Sequence, residues 1–309
     1  MRDAYIYGVY KLSVMVVGTG VPACTGLRHA RTHVATNIWQ PVTSVRFCLT
    51  EGVLVEYMKC YDFKEVKVFQ KMEMTVLAEN LGRIKDRIAE AAVRAGRRAD
   101  EIRLVAVTKT HCAETVDLVL QAGIRHFGEN KVQEAAQKLP LITQPYDGFH
   151  FIGHLQTNKV KALLQLEPCL IHSVDSLHLA REIDKIAGNL NIKQEILLQV
   201  NTSGEISKTG VTPYQLLELV HQTAKFHNLK VMGLMTIGRL SDKAEDSRQD
   251  FRLLKELFDS LTHLKIANLE LKWLSMGMTN DFEIAIEEGA NLVRIGSAIF
   301  GERHYDDKN

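Results

Sequence analysis

Repetition is the feature that most restricts what this chain can fold into. Short apolar runs recur at residues 102–108, 125–128, 149–153, 170–174, 195–200, 231–237, 271–275 and 292–295. Stretches with helical spacing separate them, such as Leu216, Leu217, Val220 and Ala224, or Phe251, Leu254, Leu257, Phe258 and Leu261. Apolar runs without polar alternation suit strands covered on both faces, and strands separated by helices run parallel. Eight such units close into a single (β/α)8 barrel, a TIM barrel, which takes roughly 250 residues. An open doubly wound sheet is the competing arrangement. It calls for a Gly-x-Gly-x-x-Gly turn after the first strand, and the chain has none there.

Order begins near residue 75, where Leu77, Leu81, Ile84, Ile88 and Ala92 share one helical face. This helix is expected to cap the base of the barrel. Residues 1–74 then form a poorly patterned N-terminal extension and residues 75–309 the barrel. Asp3 is the only acid among the first 50 residues, a composition compatible with organellar targeting, although basic residues are few and no amphipathic helix stands out. The preferred expectation is a start at Met72 or Met74, with the upstream stretch a mis-assigned extension or a disordered tail.

The 38 basic and 37 acidic residues leave a net charge of +1 with no tract of like charge, so neither a nucleic acid nor a polyphosphate is an expected partner. Cys24, Cys48, Cys60, Cys112 and Cys169 are scattered without a Cys-x-x-Cys pair, which fits a reducing cytoplasm. No apolar stretch approaches the ~20 residues of a membrane-spanning helix. A cytoplasmic, monomeric protein that handles a small molecule is expected.

In a barrel of this kind, reactive groups sit at the C-terminal ends of the strands, and phosphates bind after the seventh and eighth. Lys109 closes the first apolar run, Ile102-Arg103-Leu104-Val105-Ala106-Val107-Thr108-Lys109. A lysine taken out of water loses its charge readily, and its neutral amine can attack an aldehyde, of which pyridoxal phosphate is the obvious example. The alternative is an edge lysine with its head in water. The seventh run ends in Ser275-Met276-Gly277-Met278 and the eighth carries Arg294-Ile295-Gly296-Ser297. Gly277 and Gly296 admit backbone N–H groups to an anion, Ser275, Ser297 and Arg294 add donors, and a helix beginning after Ser297 would help. The same glycines can serve only as turns, and Arg294 can pair with a surface carboxylate.

Six segments over residues 77–303 carry a resemblance. They are Ala106-Val107-Thr108-Lys109-Thr110, Phe127-Gly128-Glu129-Asn130-Lys131-Val132-Gln133-Glu134, residues 150–159, residues 200–210, residues 274–278 and residues 293–303. Together they resemble the pyridoxal phosphate homeostasis protein family. The resemblance implies a barrel like the N-terminal domain of alanine racemase, with the cofactor held as an imine on Lys109. It further implies phosphate contacts from Ser275, Gly296 and Ser297, and Arg294 near the pyridine nitrogen. His111-Cys112, Lys131 and Thr279 depart from the family's common residues. The implied function is to bind, buffer and deliver pyridoxal phosphate to apoenzymes. An arginine can only donate to the ring nitrogen and so disfavours the protonated ring that carbanion chemistry uses. Related racemases add a tyrosine from a second domain, for which a chain ending at Asn309 leaves no room. The rival readings are an amino-acid racemase or lyase that uses the same cofactor, and a barrel binding another phosphate ester with Lys109 as an aldolase-type lysine.

Other residues have two readings each. Asn130 can hydrogen-bond the ring substituents or cap a helix, with Gln133 completing a capping box. His150 and His154 share a strand parity, and one can reach the cofactor, although a core or rim role is preferred and the pair makes no convincing metal site. Glu205 and Lys208 suit a mobile rim loop or a solvated turn. Met232, Met235, Met276 and Met278 suit core and pocket filling, and Cys112, close enough to Lys109 to be reactive, is expected instead to be buried and inert.

Overall fold

The computed structural model describes residues 46–50, 53–57 and 63–301 apart from Lys265, with side chains from Met74 onward. The chain divides into two compact units, residues 1–73 and 74–309. In the first, β1 (Arg46–Thr50) and β2 (Val53–Tyr57) pair antiparallel, with Thr50 opposite Val53. The sequence reading assigns no element there. Each run is only five residues long, too short for a period to stand out from its surroundings. Helix α1 (Phe63–Arg94) likewise begins a dozen residues before the expected start.

The second unit is the barrel. Its strands are β3 (Arg103–Val107), β4 (His126–Glu129), β5 (Gly148–Phe151), β6 (Leu170–Val174), β7 (Gln194–Gln199), β8 (Leu229–Met235), β9 (Leu269–Ser275) and β10 (Leu292–Ile295). All pair parallel in chain order, and β10 closes on β3 through Ile295 opposite Ala106. Eight strands at the eight expected places bear out the repeat. Following them are α2 (Ala113–Gln121), α3 (Val132–Lys138), α4 (Val160–Leu164), α5 (Leu177–Asn189), α6 (Pro213–Thr223), α7 (Arg248–Thr262), α8 (Phe282–Glu287) and α9 (Ser297–Phe300).

Strand alternation divides the core. One set of strand residues, with Ala106, Ile171, Ile196, Leu198, Leu274 and Val293, packs against the helices. The opposite parity, with Val105, Leu170, Leu197, Met232, Trp273 and Leu292, fills the barrel interior. Phe127, Phe149, Phe151, Phe251 and Phe282 are fully buried, and each such ring stabilises the fold by roughly 1.5–3 kcal/mol.

Helix α1 does not cap the base. Its expected apolar face is buried, but its polar contacts run along one side of the barrel: Asn80 Nδ2 donates to Ile299 O, Arg87 pairs with Glu283, and Arg97 Nη1 donates to Ala290 O at 2.6 Å. α9 has only four residues, no longer helix follows β10 among the described residues, and α1 covers that apolar face instead. Leu217 faces outward, while Leu216 and Val220 are buried as expected.

Candidate ligand site at the C-terminal rim

Lys109 lies two residues beyond β3 and is half-buried, between the two environments expected of it. A buried polar network holds the backbone on both sides. Thr108 Oγ1 donates to Glu129 Oε1 at 2.6 Å, and Lys138 Nζ donates to that same oxygen at 2.6 Å and to Thr108 O at 2.8 Å. Glu134 accepts from Lys138 and from the backbone N–H of Thr110. Thr110 takes a left-handed conformation at φ 70, which a β-branched residue adopts only when its surroundings impose it. Burial pushes the Glu129 carboxyl above its ordinary range, while Lys138 and Thr108 draw it back.

On the far side of the β3/β10 seam, Arg294 is buried and donates from Nη1 to Ser275 Oγ at 2.6 Å and from Nη2 to Thr236 O at 2.9 Å. Its partners are barrel groups, so the surface-carboxylate alternative fails. Burial lowers the guanidinium to about 10, which leaves it cationic. Gly296 faces Val107: a Cβ there would lie 3.3 Å from Val107 Cβ and 3.4 Å from Val107 O. The eighth-strand turn therefore sits beside the strand that leads to Lys109. Ser297 Oγ, which is exposed, donates to Thr279 Oγ1 at 3.2 Å, tying the turns after β9 and β10 together. Gly277 has φ +90, and a Cβ there would come within 2.6 Å of Ala285 Cβ, so only glycine fits this turn.

Asn130 does not cap α3. The N-cap is Lys131, which makes no side-chain cap, and Asn130 Oδ1 is buried without a hydrogen-bond partner. His150 and His154 part company. His154 is exposed, with Nδ1 3.7 Å from Asp175. His150 turns inward, Nε2 3.1 Å from His126 Nδ1 and Nδ1 2.9 Å from His172 Nε2, and His172 Nδ1 lies 3.0 Å from Ser275 Oγ. Burial depresses all three imidazoles, His126 to about 4 and His150 to about 3. A polar chain thus runs through the barrel from the start of β4 to Ser275 and Arg294. The sequence reading missed His126 and His172. The available signal was one histidine at inward parity in each of three successive strands, 24 and 22 residues apart.

Lys208 bonds Glu205 and donates to Gly238 O at 2.8 Å, so this turn is anchored rather than simply solvated. Cys112 is exposed, against expectation, and so is Met278, while Met232, Met235 and Met276 are core. No described helix is long and apolar enough to cross a membrane.

Comparison with known proteins places the barrel in a family. Residues 80–304 match the family model for the alanine racemase N-terminal domain, which defines the class of barrel. The protein named pyridoxal phosphate homeostasis protein in Aquifex aeolicus is 46% identical over 227 residues, spanning 74% of this chain and 98% of that one. Its namesake in Escherichia coli is 36% identical over 239 residues, 76% of this chain and 100% of its own. PipY of Synechococcus elongatus, solved with PLP bound, superposes with a TM-score of 0.61 at 32% identity, covering 73% of this chain and 100% of that one. The chain belongs to the pyridoxal phosphate homeostasis protein family. An alanine racemase of Clostridium difficile, 18% identical with a TM-score of 0.57 over 75% of this chain and 60% of its own, shares the fold.

Proposed function

We propose that this protein binds pyridoxal 5'-phosphate at the C-terminal rim, holds it covalently through Lys109 Nζ, and buffers and delivers it to apoenzymes rather than turning over amino acids. When bound, the cofactor supplies an aldehyde that condenses reversibly with an amine. The observation that carries the reading is the Arg294–Ser275 contact, which joins from two strands the residues expected at the ring nitrogen and the phosphate. The remaining residues fit. Asn130 Oδ1 is a buried acceptor in need of a donor, and a hydroxyl group on the ring supplies one. Ser275, Gly296 and Ser297 offer donors to a phosphate.

The reading against turnover rests on Arg294. A cationic guanidinium donates and cannot accept, so it opposes protonation of a neighbouring ring nitrogen and weakens the ring as an electron sink. The alternative, a racemase-like enzyme, calls for a second acid-base residue over the ring. The deciding experiment is an absorbance spectrum of the protein purified without added cofactor, then borohydride reduction and peptide mapping. A visible band with a pyridoxyl group on Lys109 supports the reading. No band after adding pyridoxal phosphate removes it, and racemisation of a single amino acid by the loaded protein favours the enzyme.

A further inference from the structure

The opposite end of the barrel carries a cluster that the rim function does not use. His126 opens β4, Gly148 opens β5, and Cys169 immediately precedes β6, so all three stand at N-terminal strand ends. His126 Nδ1, His150 Nε2 and Cys169 Sγ lie within 4.8 Å of one another, and the two nitrogens are 3.1 Å apart. Tetrahedral binding with metal–nitrogen bonds of about 2.0–2.1 Å and a metal–sulfur bond of about 2.3 Å places such nitrogens about 3.4 Å apart and the sulfur about 3.6 Å from each. Shifts of a few tenths of an ångström to about one ångström therefore separate the three groups from a ligand set.

We infer that this cluster is a binding site for a zinc-class divalent ion, with His126 Nδ1, His150 Nε2 and Cys169 Sγ as protein ligands and water in the fourth position. Gly148 is an independent sign. A Cβ at that residue would lie 2.6 Å from Cys169 Sγ and 2.7 Å from His126 Nδ1, so the space between two of the ligand atoms exists only because residue 148 is glycine. A cavity of about 270 Å³ opens on the cluster and gives an ion and its water a way in. Imidazole with thiolate is the donor set of zinc and its near neighbours.

His150 contacts His172 through Nδ1, which leaves Nε2 directed at the cluster, and metal-bound imidazoles characteristically donate through the other nitrogen. Arg103, stacked 4.2 Å over the Trp273 ring, also lines the cavity and repels a cation. Asp147 and Glu195 on the same wall, with the thiolate itself, offset it. On binding, the Cys169 S–H bond breaks, its proton leaves to solvent, and a sulfur–metal bond replaces it, with no change of oxidation state.

The test is titration of chelator-treated, full-length protein with Co²⁺, read as the thiolate-to-cobalt charge-transfer band and displaced by Zn²⁺. One equivalent should give the band. Cys169→Ser should lose it, Gly148→Ala should weaken cobalt binding at least tenfold, and Cys112→Ser should keep it, with circular dichroism verifying each fold. Absence of the band in the unmodified chain overturns the inference, and that arm needs no variant. So does an undiminished band in Cys169→Ser, which would assign the metal to another thiol such as Cys24, Cys48 or Cys60.

Discussion

Replacing Lys138 with methionine tests the buried network that frames Lys109. Lys138 is only 6% exposed and Glu129 is fully buried, with the ammonium 2.6 Å from the carboxylate. The Lys138→Met change fills similar volume but strands the Glu129 charge and removes the donor to Thr108 O. Breaking a buried pair from one side typically costs about 3–5 kcal/mol. For a domain of this size that is a fall in Tm of roughly 6–20 °C. Adding Glu129→Gln removes the stranded charge and keeps an acceptor for Thr108 Oγ1, so the double variant should recover about half the loss. The sign of the pH effect is fixed as well. Glu129 already titrates above its ordinary value of 4.5 because of burial, and losing Lys138 raises it further. The folded state of the variant then holds a proton that the unfolded state releases, so its stability falls as pH rises above 4.5 through the raised value. Urea unfolding at pH 5 and pH 8 reads this directly. A loss below about 1 kcal/mol, additive single changes, or a deficit that is greater at pH 5 would each refute the buried-charge account.

Lys109→Ala should abolish the borohydride-reducible adduct yet leave a weaker, phosphate-anchored complex, seen by equilibrium dialysis, because the phosphate donors lie on other strands. An adduct that survives redirects the search to Lys131 or Lys159. Arg294→Ala should weaken cofactor binding roughly ten- to hundredfold, the loss of a hydrogen bond to a charged group, while reduction still labels Lys109. Gly277→Ala should destabilise by more than about 1 kcal/mol in urea, since its positive φ and the approach to Ala285 act together.

The barrel was legible because its signal is repeated: eight apolar runs set each other's meaning, and errors of one or two residues at strand ends cancel in the count. Lys109, Ser275, Arg294 and Gly296 were legible as rim candidates because a barrel gives strand ends a chemical meaning. What stayed hidden depends on which residues meet across strands. The Glu129–Lys138 pair, nine residues apart, reads as ordinary surface charge until β4 and α3 bury it. Thr236 contributes to the site through its carbonyl oxygen, which no side-chain pattern reports. The place of α1 followed from an absence elsewhere, the shortness of α9, and could be deduced only once the outer ring was counted. Asn130 was identified by segment, but its unpartnered oxygen is a property of packing alone.

The histidine chain makes one further prediction, because it joins the proposed metal site to the proposed cofactor site. Arg294 can only donate, so Ser275 Oγ accepts its hydrogen bond and has one proton of its own to direct. Directed down, it goes to His172 Nδ1, His172 then donates from Nε2 to His150 Nδ1, and His150 carries its proton on Nε2. Directed up, it is offered to an anion at the rim, while His172 donates to Ser275 and His150 donates to His172 from Nδ1. A metal on His150 Nε2 requires that second tautomer, and so does a phosphate on Ser275. Each ligand therefore selects the hydrogen-bond direction the other needs, and by linkage each must strengthen the other by the same factor. The difference is about one hydrogen bond, roughly 0.5–1.5 kcal/mol, or a two- to tenfold gain in cofactor affinity with Zn²⁺ present. Titrating pyridoxal phosphate with and without Zn²⁺ measures it. His172→Phe should erase the gain while both ligands still bind; an equal gain in that variant would show that the chain does not carry the coupling, and a loss of affinity with Zn²⁺ in the unmodified protein would show that its direction is the reverse.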